Sequence, residues 1–294
     1  IQGLLIWIVG LFSGLLLKAG WPKKEFFFWL AAGLLSTTAL LQVGMLFTQV
    51  NNFPFSQSWS EGMLLTNGAQ VAGLKVWGQN VGFPFINRTH AILQSFSFFL
   101  PGDHPLWIHR LWNSVLWFVV PWGLSLALGK RLKLGSTIQL VVFAVFGYLF
   151  LAQGPLYFNL ALIPLILLLG FRSDKFTLSL VLVVLASVWA GLSRLNWYPF
   201  AGAFAGLLYV LETPYNEKPL QYFWKPVVWF GAGTCIAFAT NYLFQSMGGG
   251  EIIPDSAYLS STILWYRLFP SSTFPSGIFP TLLVITSALL FFTI

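Results

Sequence analysis

The chain has 294 residues, of which 57% are hydrophobic and only 8% are charged, and its formal net charge is +7. Soluble domains carry charge on about a quarter of their residues, so this composition excludes a soluble domain and indicates a polytopic membrane protein. We expect the basic residues to lie in turns beside membrane lipids, where they set topology, and we expect no nucleic-acid partner.

Nine apolar segments approach or exceed the length of about 20 residues that a membrane-spanning helix needs. In chain order they are 1–18, 26–49, 106–128, 136–152, 155–171, 176–193, 198–211, 226–245 and 279–294. The sequence therefore predicts an all-α transmembrane bundle of about nine spans, forming a single domain over residues 1–294. Because the chain begins without Met and ends inside an apolar run, we expect that a longer protein has been trimmed at both ends.

The basic residues separate by side when these segments cross the membrane alternately. Ten of them fall in the turns of one side: Lys18, Lys23, Lys24, Lys130, Arg131, Lys133, Arg172, Lys175, Lys218 and Lys225. The other side keeps five, which are Lys75, Arg88, Arg110, Arg194 and Arg267, together with all three histidines. The lysine-rich side is cytoplasmic by the positive-inside rule. The arginines of the other side suit bidentate binding of phosphate, so we expect a phosphate-handling site on the extracytoplasmic face.

Two segments on the extracytoplasmic side are too long to be simple turns, namely 50–105 and 245–278. Loops longer than about 15 residues are usually functional or disordered. Both of these loops are rich in Trp and Phe, which favour the membrane interface. We therefore predict short interfacial helices in the first loop, at about 60–72 and 88–99.

Glu61 follows the second span by about a dozen residues, in the string Phe-Ser-Gln-Ser-Trp-Ser-Glu-Gly at 55–62. A carboxylate near the outer membrane surface suits a general base, which removes the proton of an acceptor hydroxyl while a cation stabilises a departing phosphate. The simpler interpretation is helix capping, since Ser58 or Ser60 is a good N-cap and an acidic residue is favourable in the first helical turn.

Three strings, Phe-Ser-Gln-Ser-Trp-Ser-Glu-Gly at 55–62, His-Arg-Leu-Trp-Asn at 109–113 and Ser-Arg-Leu-Asn-Trp-Tyr-Pro at 193–199, resemble prokaryotic membrane proteins related to the C-fold glycosyltransferases (GT-C). The resemblance covers roughly 26–211 and includes the long first loop that opens with an acidic residue. It implies a GT-C-like fold, a polyprenyl-phosphate-linked sugar as donor, and a role for Glu61 as catalytic base or metal ligand. The chain departs from the family pattern in having Glu where Asp is usual and one additional span before the loop.

Several outward-side residues are candidates for binding phosphate or substrate: Arg88, His90, Arg110, Arg194, Asn196 and Tyr198. The Asn and Tyr add hydrogen-bonding groups at the depth of Arg194, and Arg88 begins a predicted helix, where anions bind well. Arg194 also has a simpler explanation, which is a side chain that reaches from an apolar helix to the membrane surface, and Arg110 with its neighbouring Trp residues could belong to an interface belt.

A divalent metal, Mg or Mn, is a further expectation. Its candidate ligands are Glu61, Asp103 and His104, although their spacing matches no compact metal motif. Gly102 and Asp103 before Pro105 are equally explained as a turn.

We thus predict a membrane glycosyltransferase that passes a sugar, with inversion, from a polyprenyl-phosphate donor to an extracytoplasmic glycan, lipid or protein acceptor. Two alternatives stay open. One is a transporter or flippase for a lipid-linked sugar, and the other is a non-catalytic structural subunit of a membrane complex.

Overall fold

The computed structural model describes residues 2–247 apart from 21, 23–24, 58–60, 85–87, 153–155 and 216–217. The α-helices are α1 (Gln2–Gly20), α2 (Phe26–Thr48), α3 (Glu61–Val71), α4 (Gly73–Trp77), α5 (Arg88–Ser95), α6 (Leu106–Arg131), α7 (Thr137–Ala152), α8 (Phe158–Gly170), α9 (Phe176–Gly191), α10 (Phe200–Glu212) and α11 (Pro219–Ser246). Two 3₁₀ turns, Phe96–Phe98 and Leu195–Trp197, follow α5 and α9. These residues contain no strand, so the predicted all-α class is confirmed for this part of the chain.

Three of these helices, α2, α6 and α11, are long and apolar enough to cross a membrane. Apolar stretches in α1, α7, α8 and α9 are shorter. A helix satisfies its own backbone hydrogen bonds, which is why long apolar segments adopt this structure in lipid. Eight of the nine predicted segments coincide with a helix, whereas the ninth, 279–294, lies outside the described residues, as does loop 245–278 from residue 248 onward.

Most helix contacts join helices that are one or two places apart in the chain: α1 on α2, α3 on α5, α6 on α7 and α8, α9 on α8 and α11, and α10 on α11. The main apolar core lies among α6, α8, α9, α10 and α11. Phe158, Ile163, Leu167, Val183 and Trp229 are completely buried there. This core holds the helix ends in fixed positions, and the polar residues of interest lie at those ends.

The helix ends form two chemically different groups, which we call the basic end and the loop end. At the basic end, Arg131 of α6 pairs with Glu212 of α10 and donates from Nε to the carbonyl of Leu168 in α8 at 2.9 Å. At the loop end, Thr89 of α5 hydrogen-bonds to Ser193 after α9 at 2.9 Å and accepts from Asn159 of α8 at 2.8 Å. Helices α6, α8 and α10 thus end at the basic end, whereas α8 begins and α9 ends at the loop end. These helices therefore alternate in direction, as the separation of the basic residues predicted.

The loop end should be extracytoplasmic, and cysteine labelling in intact cells tests this. The exposed native Cys235 is first replaced by Ser. In that background, Gln79→Cys at the loop end should react with an impermeant maleimide added outside, because lysine-rich ends stay inside. Lys133→Cys at the basic end should react only after permeabilisation. The reverse pattern would contradict the predicted orientation.

Helix α5 exists where an interfacial helix was predicted, but its surroundings differ from that expectation. Six of its eight residues are buried, including Arg88, His90 and Gln94. It contacts α3, α6 and α8. The aromatic-rich sequence pointed to the membrane surface, yet protein covers the helix on most sides. Its polar side chains are consequently part of the protein interior.

Close helix contacts depend on glycine, and Gly202 at the crossing of α10 and α11 is the tightest example. A Cβ atom at this position would lie 2.3 Å from the carbonyl oxygen of Trp229 and 2.5 Å from the Cα of Phe230. Because both atoms belong to the backbone, the helices would have to separate. Small residues at helix crossings allow such approach in membranes.

Gly202→Leu should therefore lower the free energy of unfolding by roughly 1–3 kcal/mol, the usual cost of overpacking. Gly231 on α11 is the matched control, since a Cβ there would meet nothing within 4 Å. The thermal midpoint of each variant in detergent measures the difference. Equal midpoints for Gly202→Leu and Gly231→Leu would contradict the proposed packing.

Candidate functional site

Glu61 and Arg110 form an ion pair at the loop end. Arg110, in the second turn of α6, donates from Nε to Oε1 of Glu61 at 2.7 Å and from an Nη2 hydrogen to Oε2 at 3.3 Å. The backbone N–H of Gln57 also donates to Oε2, at 2.6 Å. The side chains of Arg110 and Glu61 are 3% and 11% exposed. Their bidentate geometry is the strong form of this interaction, and it fixes the orientation of the carboxylate.

Arg110 also holds the segment that leads from α2 towards Glu61. Its Nη1 atom donates to the carbonyls of Asn51 at 2.7 Å and Phe53 at 2.8 Å, and Nη2 donates to the carbonyl of Phe55 at 3.0 Å. A guanidinium has five N–H donors. All three of its nitrogens are thus engaged within the protein, so phosphate could bind here only if some of these bonds broke. The structure gives Arg110 a positioning role.

A cavity of about 440 Å³ lies beside this ion pair. Its wall comes from α2 and the residue after it, α3, α5, α6, α7 and the residue directly before α8. The lining residues are Gln42, Leu46, Gln49, Glu61, Leu64, Leu65, Gln94, Arg110, Asn113, Trp117, Tyr148, Ala152 and Tyr157. Glu61 and Arg110 are the charged members of this lining and they neutralise each other. The remaining polar groups are amides, hydroxyls and an indole.

Two hydrogen-bond acceptors in this wall have no partner within the described protein. Gln94 is completely buried, and its Nε2 donates to the carbonyl of His109 at 3.0 Å, which leaves Oε1 unpaired. Oδ1 of Asn113 is likewise buried and unpaired. An unpaired buried acceptor costs about 1–3 kcal/mol. These two oxygens are therefore suited to a molecule that brings hydrogen-bond donors into the cavity.

Arg88 and His90 lie on α5 but do not line this cavity. Arg88 donates to Oδ1 of Asn241 at 3.0 Å, and its guanidinium lies 4.7 Å from the ring centroid of Phe244. His90 packs beside Phe158 with ring centroids 4.8 Å apart. The two residues join α5 to α11 and α8. The structure therefore does not bring these two candidate residues into the cavity wall that contains Glu61.

Arg194 is exposed at the end of α9, with its guanidinium 5.5 Å from the ring centroid of Tyr157. Since Tyr157 lines the cavity, Arg194 lies one side chain away from it. Asn196 is exposed in the following 3₁₀ turn. Tyr198 is only 2% exposed and packs edge-on against Phe238. Of these three residues, Arg194 is the one that the structure ties to the cavity rim.

The expected metal ligands do not form a cluster. Among residues 2–247 with the gaps given above, no three His, Cys, Asp or Glu side chains are close enough to hold a metal ion. Asp103 is exposed and His104 is half-buried. The Glu61 carboxylate already accepts three hydrogen bonds and lies against a guanidinium, so it is a poor ligand for a divalent cation. The described residues therefore give the expected Mg or Mn site no support, and the metal stays an expectation from the sequence.

Comparison with protein-family models, curated proteins and solved structures finds no match to this chain. The family therefore stays an expectation from the three sequence strings.

Sequence reasoning missed most of the cavity wall. Gln42, Asn113 and Tyr148 lie in helices whose other residues are mainly apolar, Gln49 directly follows α2, and Gln94 lies in the more polar helix α5. Gln42 and Gln49 are seven residues apart, which puts them on one face of α2. Uncharged amides at this spacing within an apolar helix were the available signal. Because these amides carry no charge, a pattern of charged residues does not reveal them.

Burial of His90 should make stability depend on pH. Burial lowers its pKa from 6.5 to about 4, because the charged imidazolium loses its hydration. Between these values the unfolded chain binds a proton that the folded chain does not, so stability falls as the pH drops through this window, by about 3 kcal/mol in total. His90→Leu should remove this dependence, as followed by thermal midpoints from pH 7 to pH 4.

The matched control is His104→Gln, which changes a histidine in the loop before α6. It should keep the part of the pH dependence that comes from His90. If His90→Leu and His104→Gln behaved alike, the source of acid sensitivity would lie elsewhere.

Proposed function

We propose that this chain is an integral-membrane glycosyltransferase that moves a sugar from a polyprenyl-phosphate donor to an extracytoplasmic acceptor, with inversion. One observation carries the proposal: a firmly oriented carboxylate, Glu61, forms part of the wall of a cavity whose polar groups, apart from its partner Arg110, are uncharged. The proposed location is the prokaryotic plasma membrane, with the loop end as the active face and a GT-C-like bundle of about nine spans.

The chemistry assigns Glu61 the role of general base. An ionised carboxylate has about four lone-pair sites. Three of these accept hydrogen bonds from Arg110 and Gln57, so one remains for the hydroxyl of an acceptor. As the acceptor oxygen bonds to the anomeric carbon, its proton passes to Glu61. The bond from that carbon to the phosphate oxygen breaks, and the phosphate leaves with the electron pair. Direct displacement inverts the anomeric configuration.

The cavity wall suits the sugar better than it suits the phosphate. Sugar hydroxyls can donate to the unpaired oxygens of Gln94 and Asn113. Aromatic rings of Trp117, Tyr148 and Tyr157 provide apolar surface for the sugar ring. The charges of Glu61 and Arg110 cancel, so the interior has no surplus cation for an anion.

The phosphate of the donor is assigned to the rim, where Arg194 lies over Tyr157. An exposed guanidinium there can bind the phosphate while the prenyl chain stays in lipid. Asn196 is also exposed and can add a hydrogen bond. Arg88, His90 and Tyr198 then serve packing, because they are buried against other helices.

A second candidate function is that of a non-catalytic structural subunit. The observation that favours it is the engagement of every Arg110 nitrogen by Glu61 and the carbonyls after α2. A pair that only ties a loop to α6 would have this geometry too.

The test is sugar transfer by the purified full chain in nanodiscs. Radiolabelled polyprenyl-phosphate sugars are tested one at a time with acceptor extracts in which heat has inactivated the native enzymes. Transfer of one sugar with an inverted anomeric bond is expected. Retention of configuration would contradict the single-displacement mechanism, and inactivity with all donors would favour the structural subunit.

A further inference from the structure

A second cavity, of about 750 Å³, lies at the basic end of the bundle. It is formed where the C-terminal ends of α6, α8 and α10 meet the turn between α8 and α9. Its lining residues are Ala127, Lys130, Arg131, Lys133, Leu168, Leu169, Phe171, Arg172, Ser173, Asp174, Leu211 and Glu212. No step of the proposed transfer reaction uses this end of the protein.

Arg131 joins the helix ends that surround this cavity. It pairs with Glu212 and donates to the carbonyls of Leu168 and Phe171. The turn after α8 is further fixed by Ser179, whose hydroxyl donates to the carbonyl of Arg172 at 2.7 Å and accepts from its N–H at 3.0 Å. The cavity is therefore bounded by hydrogen-bonded structure on several sides.

The Arg131–Glu212 pair is internally neutral, and the other charged lining residues are mostly basic. Lys130, Lys133 and Arg172 are all exposed, against the single acidic side chain of Asp174. Lys133 has a positive φ of 51°, a conformation that normally favours glycine at a helix end. Lys133 adopts this unfavourable backbone conformation, and its side chain adds a positive charge to the lining of the cavity.

Apolar side chains lie directly beside these cations. Leu169 is 70% exposed and Leu211 is 72% exposed, and both line the cavity. Helices α8 and α10 have 13 residues each, which is about 20 Å and shorter than the hydrocarbon layer. A bilayer accommodates such short helices by thinning locally and through flanking Lys or Arg side chains that reach to its surface, which brings lipid headgroups close to these ends and to the cavity between them. Cations next to exposed leucines match a ligand with an anionic head and an apolar body.

We propose that this cavity binds an anionic phospholipid. Its phosphate lies among Lys130, Lys133 and Arg172, and its acyl chains extend along Leu169 and Leu211. Basic pockets between membrane helices on the cytoplasmic side bind such headgroups. The inference stands apart from the transfer reaction, because it concerns the opposite end of the helices.

Native mass spectrometry of the full chain released from detergent micelles tests this proposal. Dioleoyl phosphatidylglycerol and dioleoyl phosphatidylcholine are titrated separately, and glycerol 3-phosphate serves as a soluble competitor. The protein should retain phosphatidylglycerol at least about tenfold more tightly than phosphatidylcholine, since each nearby Lys or Arg strengthens anionic lipid binding. Glycerol 3-phosphate should compete poorly because it lacks acyl chains.

The decisive variant is the triple substitution Lys130→Gln, Lys133→Gln and Arg172→Gln, which should weaken phosphatidylglycerol binding by about tenfold or more. The matched control removes the same charge at the same end through Lys18→Gln, Lys175→Gln and Lys225→Gln, none of which lines the cavity. Its effect should stay below about threefold. The thermal midpoint checks folding, and the single variants should each give part of the loss.

Equal losses in the two triple variants would overturn the proposal, because they would mean attraction to general surface charge. Equal retention of the two lipids would overturn it as well. Efficient displacement by glycerol 3-phosphate would replace the lipid site with a soluble-phosphate site. None of these outcomes depends on sugar transfer.

Discussion

Arg110→Met should lower the free energy of unfolding by about 3–5 kcal/mol, because it leaves the carboxylate of Glu61 in place without its partner. The same change removes the donor for the carbonyls of Asn51, Phe53 and Phe55. Thermal midpoints in detergent give the stability. Hydrogen exchange should rise in the segment 51–57, which would then have lost its anchor.

Arg194→Met is the matched control, because Arg194 is exposed and should contribute less than about 1 kcal/mol. A double variant, Glu61→Met with Arg110→Met, should recover part of the lost stability, since apolar replacement of both partners is less costly than removal of one. Equal stability of Arg110→Met and Arg194→Met would show that the ion pair does not hold the loop.

Glu61→Gln should reduce sugar transfer by about 10²–10⁴-fold if Glu61 is the general base. Glutamine keeps the size of the side chain and can still accept one hydrogen bond from Arg110, but it cannot take up the acceptor proton. Binding of the lipid donor should be nearly unchanged. The measurement compares transfer rates and donor binding in nanodiscs.

Arg194→Ala should have a different kinetic signature. It removes a proposed phosphate contact that is present in both the bound donor and the transition state, so the donor KM should rise. A contact made only to the departing phosphate would also lower kcat. Full activity of Glu61→Gln, in a preparation free of host enzymes, would contradict the proposed mechanism and favour the role of a structural subunit.

A folding control is essential for Glu61→Gln, because the amide nitrogen of glutamine would lie against either Arg110 or the N–H of Gln57. A variant that unfolds would lose activity for an unrelated reason. The thermal midpoint of Glu61→Gln therefore has to lie well above the assay temperature.

Local sequence pattern predicts some helix boundaries closely and others less well. The second predicted segment, 26–49, matches α2 at Phe26–Thr48 almost residue for residue. The prediction of 226–245 was too short, because α11 begins at Pro219. The helix also includes residues before this segment: it has Pro219 in its first turn, where proline is well tolerated, and continues through Pro226.

The site was less predictable than the helices. Glu61 was found because it is an acidic residue at a helix start in a long loop, and α3 does begin there. The partner of Glu61 could not be read from the sequence, since Arg110 lies 49 residues away. Arg88 and Arg194 looked equivalent to Arg110 by residue type and predicted side. Packing gave each arginine a different neighbour.

By itself, the sequence determined the helical class, most helix positions, and the separation of lysine-rich turns from the long loops. These properties follow from local apolar length and charge, which act whatever the neighbours are. The tertiary structure alone decided that Arg110 holds Glu61, that amides line the cavity, and that α5 is buried. Those outcomes depend on which helix ends come together, because a buried charge is costly unless a partner lies within reach.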